Sequence, residues 1–352
     1  MFGSSDHGAQ ADLYGEMRPS PERMISEDGE YVAGWFSSFD GMINPSASRV
    51  RFAPFQCWLH VQFVTPEYLV VANIANLGLG GNTTILVVDR NSGEVMHAAQ
   101  TPLLWQNRIG ADPGYRVFDD PSTGSRLALN EGLGELYVDM RVGDLALQGT
   151  AAAIFDRPLI QTTAYGRGRG TLQWWGCVEV QEMTLHIKGE QYELPAGSMG
   201  LYDRTVGHRR RRQNWNWVAS IGEAVDGTRF AIQASQDRPR ALPYRWIHKA
   251  GIWWNGKLVK ASPGARFLYE PSEAAEKPWR VHLGEGASPC ASLVFEPRFR
   301  REESKRIPGV LNAKFQQFYG SLSGRIELAG ISERLEVRDV FTVAEDSRLE
   351  LL

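Results

Sequence analysis

Residues 58–74 read WLHVQFVTPEYLVVANI. Two runs of mainly β-branched, aromatic and other apolar side chains, 58–64 and 68–74, flank the short turn-forming segment Thr-Pro-Glu. Short apolar runs bounded by turn residues are typical of β-strands. Neither run approaches the roughly 18 apolar residues of a membrane-spanning helix. The stretch therefore predicts two β-strands.

The same rhythm continues along the chain from Tyr31. Short segments of Val, Ile, Leu, Phe, Tyr and Trp recur and are separated by Gly, Pro, Asn and Asp. Hairpin-type turns are expected at Asn-Ser-Gly (91–93), Asp-Gly (226–227) and Asn-Gly (255–256). Many strands at regular spacing with tight turns predict an all-β, antiparallel sandwich or barrel.

Few segments of the sequence have a pattern that predicts an α-helix. Residues 302–314 contain Pro308, and residues 19–27 have room only for a short helix. A parallel α/β sheet would need crossover helices between its strands. We therefore expect few short helices, a polar N-terminal arm over 1–30, and two β domains over 31–195 and 196–352.

Composition narrows the classes of function. The chain has 352 residues, a net charge of −3 and 43% hydrophobic residues, so nucleic-acid binding and stable membrane insertion are not expected. The N-terminus has no basic start and no apolar leader, which favours a cytoplasmic protein. Eleven residues are Trp, which supplies broad apolar walls.

Cysteine and histidine spacing argues against metal and redox chemistry. Cys57, Cys177 and Cys290 are far apart, and we expect each to be a small buried hydrophobe. The seven His residues show no HxH or HExxH spacing, so no metal site is predicted. The Gly-rich segments lack the Lys-Ser/Thr of a phosphate loop, and we expect no cofactor.

The stretch from Gly200 to Trp217 is the densest in chemistry-bearing side chains. In a strand, Trp215 and Trp217 share one face, while Asn214 and Asn216 lie on the other. Asp203, His208 and Tyr202 precede this aromatic wall and are the candidate catalytic groups, because a carboxylate, an imidazole and a phenol can move protons. The alternative is an Asp that caps a turn, a surface His and core Trp side chains.

The segment His208–Arg212 contains four successive arginines. These could bind nucleic acid, hold a carboxylate or phosphate of a ligand at the mouth of a pocket, or form a solvated loop paired with acidic neighbours. The chain as a whole is slightly acidic, which favours the solvated loop.

Further aromatic residues are candidates for lining a pocket. Trp58, His60 and Gln62 share a face of one predicted strand. The pairs at 174–175 and 253–254 each put their two Trp side chains on opposite faces, so one of each pair can line a pocket. The predicted ligand-binding residues are Trp58, His60, Trp175, Asn214, Trp215, Trp217, Trp254 and Tyr319. The alternatives are core packing and half-exposed strands.

Several motifs carry a resemblance to a known family. The Tyr-Asp-x-Thr-x-Gly of 202–207, the arginines and Asn-Trp-Asn-Trp resemble an uncharacterised bacterial family of lipocalin-like proteins. That family looks distantly related to carotenoid 1,2-hydratases (hydroxyneurosporene synthases), plant tocopherol cyclases and fungal pericyclase-type cyclases. Supporting segments are FQQFYGSLSG (315–324), LEVRDVF (335–341), AED (344–346) and WWNGK (253–257).

The resemblance implies two lipocalin-like (calycin-like) antiparallel β-barrels and a large apolar, isoprenoid- or polyene-like ligand. Such relatives add water to an alkene or close rings, with an acidic side chain as proton donor and aromatic faces next to the cation. Asp203 matches the Asp of the motif. The nearly adjacent Asp-His pair of the hydratases is absent, since Arg204 follows Asp203.

Two functional hypotheses follow. The first is a cofactor-independent hydratase, lyase, cyclase or isomerase that uses Asp203 as acid, His208 as its partner, and Tyr202 and Tyr319 as reserve donors. The second is a non-catalytic carrier of an apolar ligand. The position of the Asp203 carboxylate separates them, because burial without a charge partner favours an enzyme. The expected partner is a small apolar molecule, and a homodimer through sheet edges is an open alternative.

Overall fold

In the computed structural model, the apolar segments form β-strands as expected. The structure describes residues 16–50, 54–78, 80–102, 108–237, 247–261, 264–284, 290–307, 311–327 and 334–351. Contacts divide the chain into a first unit, Pro19–Arg209, and a second unit that contains Arg210–Leu352. Each unit has its own hydrophobic core.

Among the described residues, fifteen strands form the first of the two sheets. Their bounds are β1 Met17–Arg18, β2 Gly34–Phe36, β3 Gln56–Val64, β4 Tyr68–Asn76, β5 Gly81–Asp89, β6 Val95–Gln100, β7 Gly110–Ala111, β8 Val117–Asp120, β9 Ser125–Asn130, β10 Glu135–Val142, β11 Leu145–Ala153, β12 Leu159–Gly166, β13 Arg169–Ile187, β14 Glu190–Glu193 and β15 Met199–His208. The main sheet of the first unit has the order β6-β5-β4-β3-β15-β13-β11-β10-β9-β8-β7. Strand β12 pairs with β13 and β2, and β14 pairs with β13.

The second unit forms a sheet of nine strands among its described residues. Their bounds are β16 Arg212–Glu223, β17 Arg229–Asp237, β18 Ile247–Trp254, β19 Lys257–Lys260, β20 Ala265–Leu268, β21 Trp279–Leu283, β22 Cys290–Ile307, β23 Leu311–Glu327 and β24 Arg334–Leu351. The order is β19-β18-β17-β16-β24-β23-β22-β21-β20, and every pairing is antiparallel.

The fold class is therefore the one expected: nearly all-β, with two curled half-barrel sheets that match two lipocalin-like barrel domains. Within the described residues, the helical content is two single 3₁₀ turns, Pro45–Ala47 and Pro271–Glu273. Residues 302–307 and 311–314 lie in β22 and β23, and residues 19–27 form bends and isolated bridges. In the residues that the structure describes, neither weak helical window forms a helix.

The Asn255-Gly256 turn is a two-residue hairpin loop. Trp254 pairs with Lys257 across it, and both loop residues have positive φ, 50° and 80°. Positive φ at both positions is the geometry that makes Asn-Gly the preferred sequence for such loops. This local prediction from sequence is confirmed.

The boundary between the two units lies later in the chain than the boundary predicted at 195/196. Strand β15 pairs with β13 and β3 of the first sheet, and the units divide between Arg209 and Arg210. In the expected N-terminal arm, residues 1–15 lie outside the described residues. Met24 and Ile25 are fully buried in the first core, because their apolar side chains gain more from burial than from exposure as an arm.

No helix in the described part of the chain is long and apolar enough to cross a membrane.

Candidate functional site

Strand β15 presents different side chains on its two faces. Tyr202 and Val206 belong to the first hydrophobic core. Because successive side chains of a strand alternate, Asp203 and Thr205 point to the opposite face of the sheet. The side chain of Asp203 therefore lies on the face that the first core does not use.

The neighbouring strands bring further predicted residues to Asp203. His60 of β3 lies directly opposite Asp203 on one side, and Trp175 of β13 lies opposite it on the other. Two residues further along β15, Thr205 lies between Trp58 of β3 and Gln173 of β13. Directly opposite residues in antiparallel strands have β-carbons about 4.5–5.5 Å apart. We call the set Trp58, His60, Gln173, Trp175, Asp203 and Thr205 the Asp203 face.

The Asp203 carboxylate is held by a neighbour on its own strand. The hydroxyl Oγ1 of Thr205 donates to Oδ1 of Asp203 at 2.7 Å. Among the described residues, this is the sole hydrogen bond of the carboxylate, and it forms no ion pair. Asp203 lies in mid-strand, so it does not cap a turn. The mid-strand position and the missing ion pair match part of what the enzyme hypothesis requires, whereas the side chain is half-buried rather than fully buried.

The aromatic members of the Asp203 face differ in exposure. Trp175 is buried, whereas Trp58, His60 and Asp203 are half-buried. The guanidinium carbon of Arg209 lies 5.0 Å from the centre of the Trp58 ring, within the range of a cation–π interaction. The face thus combines an apolar wall, a carboxylate, an imidazole and an adjacent cation.

Two predicted catalytic residues lie on the other side of this sheet. Tyr202 and His208 are an odd number of positions from Asp203, so the alternation of β15 turns them into the first unit. Burial raises the pKa of the Tyr202 phenol. The expected pairing of Asp203 with His208 therefore does not form, and His60 occupies the position beside the carboxylate.

His208 forms a buried pair with Tyr31. The backbone N–H of His208 donates to the Tyr31 hydroxyl at 2.8 Å, and that hydroxyl lies 2.9 Å from Nδ1 of the imidazole. Since the hydroxyl proton is free to point at Nδ1, the geometry fits a neutral imidazole that accepts there. Burial, with a smaller contribution from the charge of Arg169, lowers the pKa of His208 to about 4.

A second group of predicted residues gathers on one face of the second sheet. Trp215 Nε1 donates to Glu345 Oε2 at 2.9 Å, and Gln317 Nε2 donates to Glu345 Oε1 at 2.8 Å. The Tyr319 hydroxyl donates to Gln317 Oε1 at 3.0 Å. Burial raises the pKa of Tyr319. We call these four residues the Glu345 network. Trp217 stands two positions after Trp215 in β16, so it lies on the same face of the sheet as the Glu345 network.

The remaining predicted residues lie on the opposite face of the second sheet. Trp254 packs into the second core. Asn214 and Asn216 alternate with the two Trp residues, as expected. The Asn216 amide donates to the Tyr269 hydroxyl, which in turn donates to Asp346 Oδ2, both at 2.6 Å.

Within the described residues, no group of three or more His, Cys, Asp and Glu side chains could hold a metal ion. In the arginine segment, Arg212 forms an ion pair with Glu350, but both residues lie in paired strands, because Arg212 begins β16 opposite Glu350 of β24.

The sequence analysis did not single out Thr205 as a site residue. The spacing in the sequence could have identified it, because Thr205 stands two positions after Asp203 and lies on the same face in any strand.

A comparison with protein families identifies the chain. The model of the family DUF2804, described as a domain of unknown function, matches residues 174–350, about half of the chain. The chain belongs to the DUF2804 family. The match includes Trp175, Asp203 and Thr205, whereas Trp58 and His60 precede it. No curated protein sequence matches the chain.

Solved structures share the fold of this DUF2804 protein. The chain is 13% identical to kievitone hydratase from Nectria haematococca, with a TM-score of 0.52, over 85% of this chain and 89% of that one. It is also 13% identical to CghA, solved with Sch210972, with a TM-score of 0.58, over 95% and 98% of the two chains. These similarities concern the fold.

Proposed function

We propose that this DUF2804 protein is an enzyme that adds water to, removes water from, or cyclises a small apolar molecule on the Asp203 face. The observation that carries the proposal is the setting of Asp203: a half-buried carboxylate in mid-strand, without an ion pair among the described residues, flanked by His60 and Trp175.

The hydration proceeds by proton transfer. Asp203, in its acid form, gives its proton to one carbon of a substrate alkene, and the π electron pair forms the new C–H bond. Water bonds to the resulting carbocation and loses a proton, which His60 takes and returns to the carboxylate. Each turnover consumes one alkene and one water, and the reverse sequence removes water.

The aromatic side chains have two roles in this scheme. Trp58 and Trp175 offer apolar surface to the substrate, and their π faces attract a developing carbocation. The Thr205 hydroxyl fixes the orientation of the carboxylate, which favours productive geometry. In the cyclase variant, an alkene of the same molecule takes the place of water.

The fold similarity supports the reaction class. Kievitone hydratase, by its name, is a hydratase, and its fold covers most of this chain. The substrate of the present protein is a small apolar molecule of the isoprenoid or polyene type in this proposal, as the sequence resemblance implies.

The test is mass spectrometry of an apolar metabolite extract, before and after incubation with the protein. The variants are Asp203→Asn and, as a matched control, Asp119→Asn, which removes an exposed carboxylate paired with Arg126. We expect one species to gain or lose a water, or to change retention at constant mass, with the wild type and the control alone. Co-purification of an apolar species without conversion by any protein would instead establish the carrier function.

A further inference from the structure

Glu345 of β24 carries a half-buried carboxylate in the second unit. It lies in mid-strand, opposite Gln317 of β23 on one side and Trp217 of β16 on the other. Among the described residues the carboxylate forms no ion pair, and its hydrogen-bond donors are the neutral N–H groups of Trp215 and Gln317. Its negative charge is therefore held partly out of water without a cation, which costs free energy.

Hydrogen bonds to Gln317 set the direction of this carboxylate. The amide oxygen Oε1 of Gln317 accepts from the Tyr319 hydroxyl and from Nη1 of Arg301, both at 3.0 Å. Because two donors meet the amide oxygen, the amide nitrogen is turned toward Glu345, to which it donates at 2.8 Å. Each carboxylate oxygen thus accepts one neutral donor and has a second lone pair for another.

The charge of Arg301 is engaged by a different carboxylate. Nη2 of Arg301 lies 2.5 Å from Oε2 of the exposed Glu303, and its Nη1 donates to Gln317 rather than to Glu345. Arg301, Glu303 and Glu345 together therefore leave one negative charge in excess. Such an excess attracts a cation.

An aromatic pair lies beside the Glu345 carboxylate. The rings of Trp215 and Phe315 meet edge to face, with their centres 5.8 Å apart and their planes at 64°. Nε1 of Trp215 lies 2.9 Å from Oε2 of Glu345, so this ring adjoins the carboxylate directly. Trp215, Phe315 and Glu345 are each partly exposed. Solvent therefore reaches both the apolar rings and the anion, and a ligand can do the same.

We propose that the second unit binds a small hydrophobic primary amine at Glu345. The ammonium group donates to a second lone pair of the carboxylate, and the hydrocarbon part packs against Trp215 and Phe315. The charged hydrogen bond supplies strength, and contact with the rings removes apolar surface from water. The site uses no residue of the Asp203 face, so it does not depend on the proposed function.

The experiment is a calorimetric titration of the protein with hexylamine at pH 7 and constant ionic strength. 1-Hexanol has the same chain without the charge, and methylamine has the charge without the chain. We expect saturable binding of hexylamine and at least tenfold weaker binding of both control ligands. In ¹H–¹⁵N spectra, the Nε1–H signal of Trp215, assigned from its loss in Trp215→Phe, should shift with hexylamine.

Variants separate this site from other carboxylates. Glu345→Gln removes the charge, and the matched control Glu336→Gln removes an exposed carboxylate of the same strand. Asp203→Asn tests the carboxylate of the first unit. We expect the affinity for hexylamine to fall at least tenfold in Glu345→Gln and to stay unchanged in the other two variants.

The wild-type protein alone can refute the proposal, even where Glu345→Gln does not fold. An unshifted Trp215 signal, or equal affinities for hexylamine and 1-hexanol, would overturn it. Unchanged binding in folded Glu345→Gln, or loss of binding in Asp203→Asn, would do so as well.

Discussion

His60 and Asp203 lie directly opposite each other in the antiparallel pairing of β3 and β15, on the face that the first core leaves unused. The two residues are far apart in sequence, and only the pairing of these strands brings them together. An imidazole beside a carboxylate that has no ion pair among the described residues is an arrangement suited to proton transfer.

Loss of the Thr205 hydroxyl should reduce catalysis more than stability. Thr205→Val keeps the shape of the side chain and removes the donor to Asp203 Oδ1. We expect kcat to fall about tenfold, because a misoriented carboxylate transfers protons less well. The free energy of unfolding should fall by about 1 kcal/mol. Steady-state kinetics and urea unfolding measure the two effects. Thr184→Val, at a surface hydroxyl that contacts Glu193, should leave kcat unchanged.

The burial of His208 predicts acid sensitivity. Its pKa is lowered from 6.5 to about 4 in the folded protein, so the folded state holds the neutral form and the unfolded state takes up the proton first. The neutral His208 therefore makes its full contribution to the free energy of unfolding above pH 6.5. This contribution, up to about 3 kcal/mol, is lost as the pH falls toward 4. Urea unfolding between pH 4 and 7 measures this slope.

The variant His208→Gln should flatten that slope, because it removes the titrating group. His97→Gln, at an exposed histidine of β6, is the control and should retain the wild-type slope. Equal slopes in all three proteins would refute the assignment to His208.

Gly176 leaves room for the ring of Tyr202. A β-carbon at position 176 would stand 2.4–2.5 Å from atoms of that ring, closer than any real contact. Gly176→Ala should therefore destabilise the protein by about 1–3 kcal/mol through overpacking. Thermal unfolding measures the change. In the Tyr202→Leu background the same substitution should cost clearly less, and Gly110→Ala, which meets no atom within 4 Å, should cost little.

The Glu345 network predicts a stability effect in the second unit. Glu345→Gln places an amide where Trp215 Nε1 and Gln317 Nε2 both donate, so one donor faces another. We expect a loss of about 1–3 kcal/mol in urea unfolding. The control Glu336→Gln removes a surface pair with Arg338, in which both side chains are exposed, and should change stability by less than about 1 kcal/mol.

Thiol reactivity should separate the three cysteines. Burial raises the pKa of Cys57 to about 12 and that of Cys177 well above its ordinary value, so neither forms the reactive thiolate near neutral pH. Cys290 is half-buried. We expect an aromatic disulfide reagent at pH 8 to label at most one thiol in the native protein and three after unfolding. Labelling of Cys57 in the native protein, located by peptide mass, would contradict this.

Local patterns were predictable from sequence, and long-range pairing was not. The shared face of Trp215 and Trp217 and the Asn255-Gly256 loop follow from alternation and turn chemistry alone. The same alternation separates Tyr202 and His208 from Asp203, although closeness in sequence suggested grouping them. The place of His60 beside Asp203 depends on which strand pairs with β15, and a single sequence contains no local signal for that choice.

The pairing of β3 with β15 also has a consequence for how the protein is made. Strand β3 ends at Val64, whereas its partner does not begin until Met199. During synthesis, the edge of β3 that faces β15 stays unpaired in the early β3–β4 hairpin until residue 208 has left the ribosome. Distant pairings of this kind form slowly, and open strand edges attract other chains. The face that carries Asp203 is thus among the last parts of the first unit to be completed, and a chain stopped before that point carries an unprotected edge.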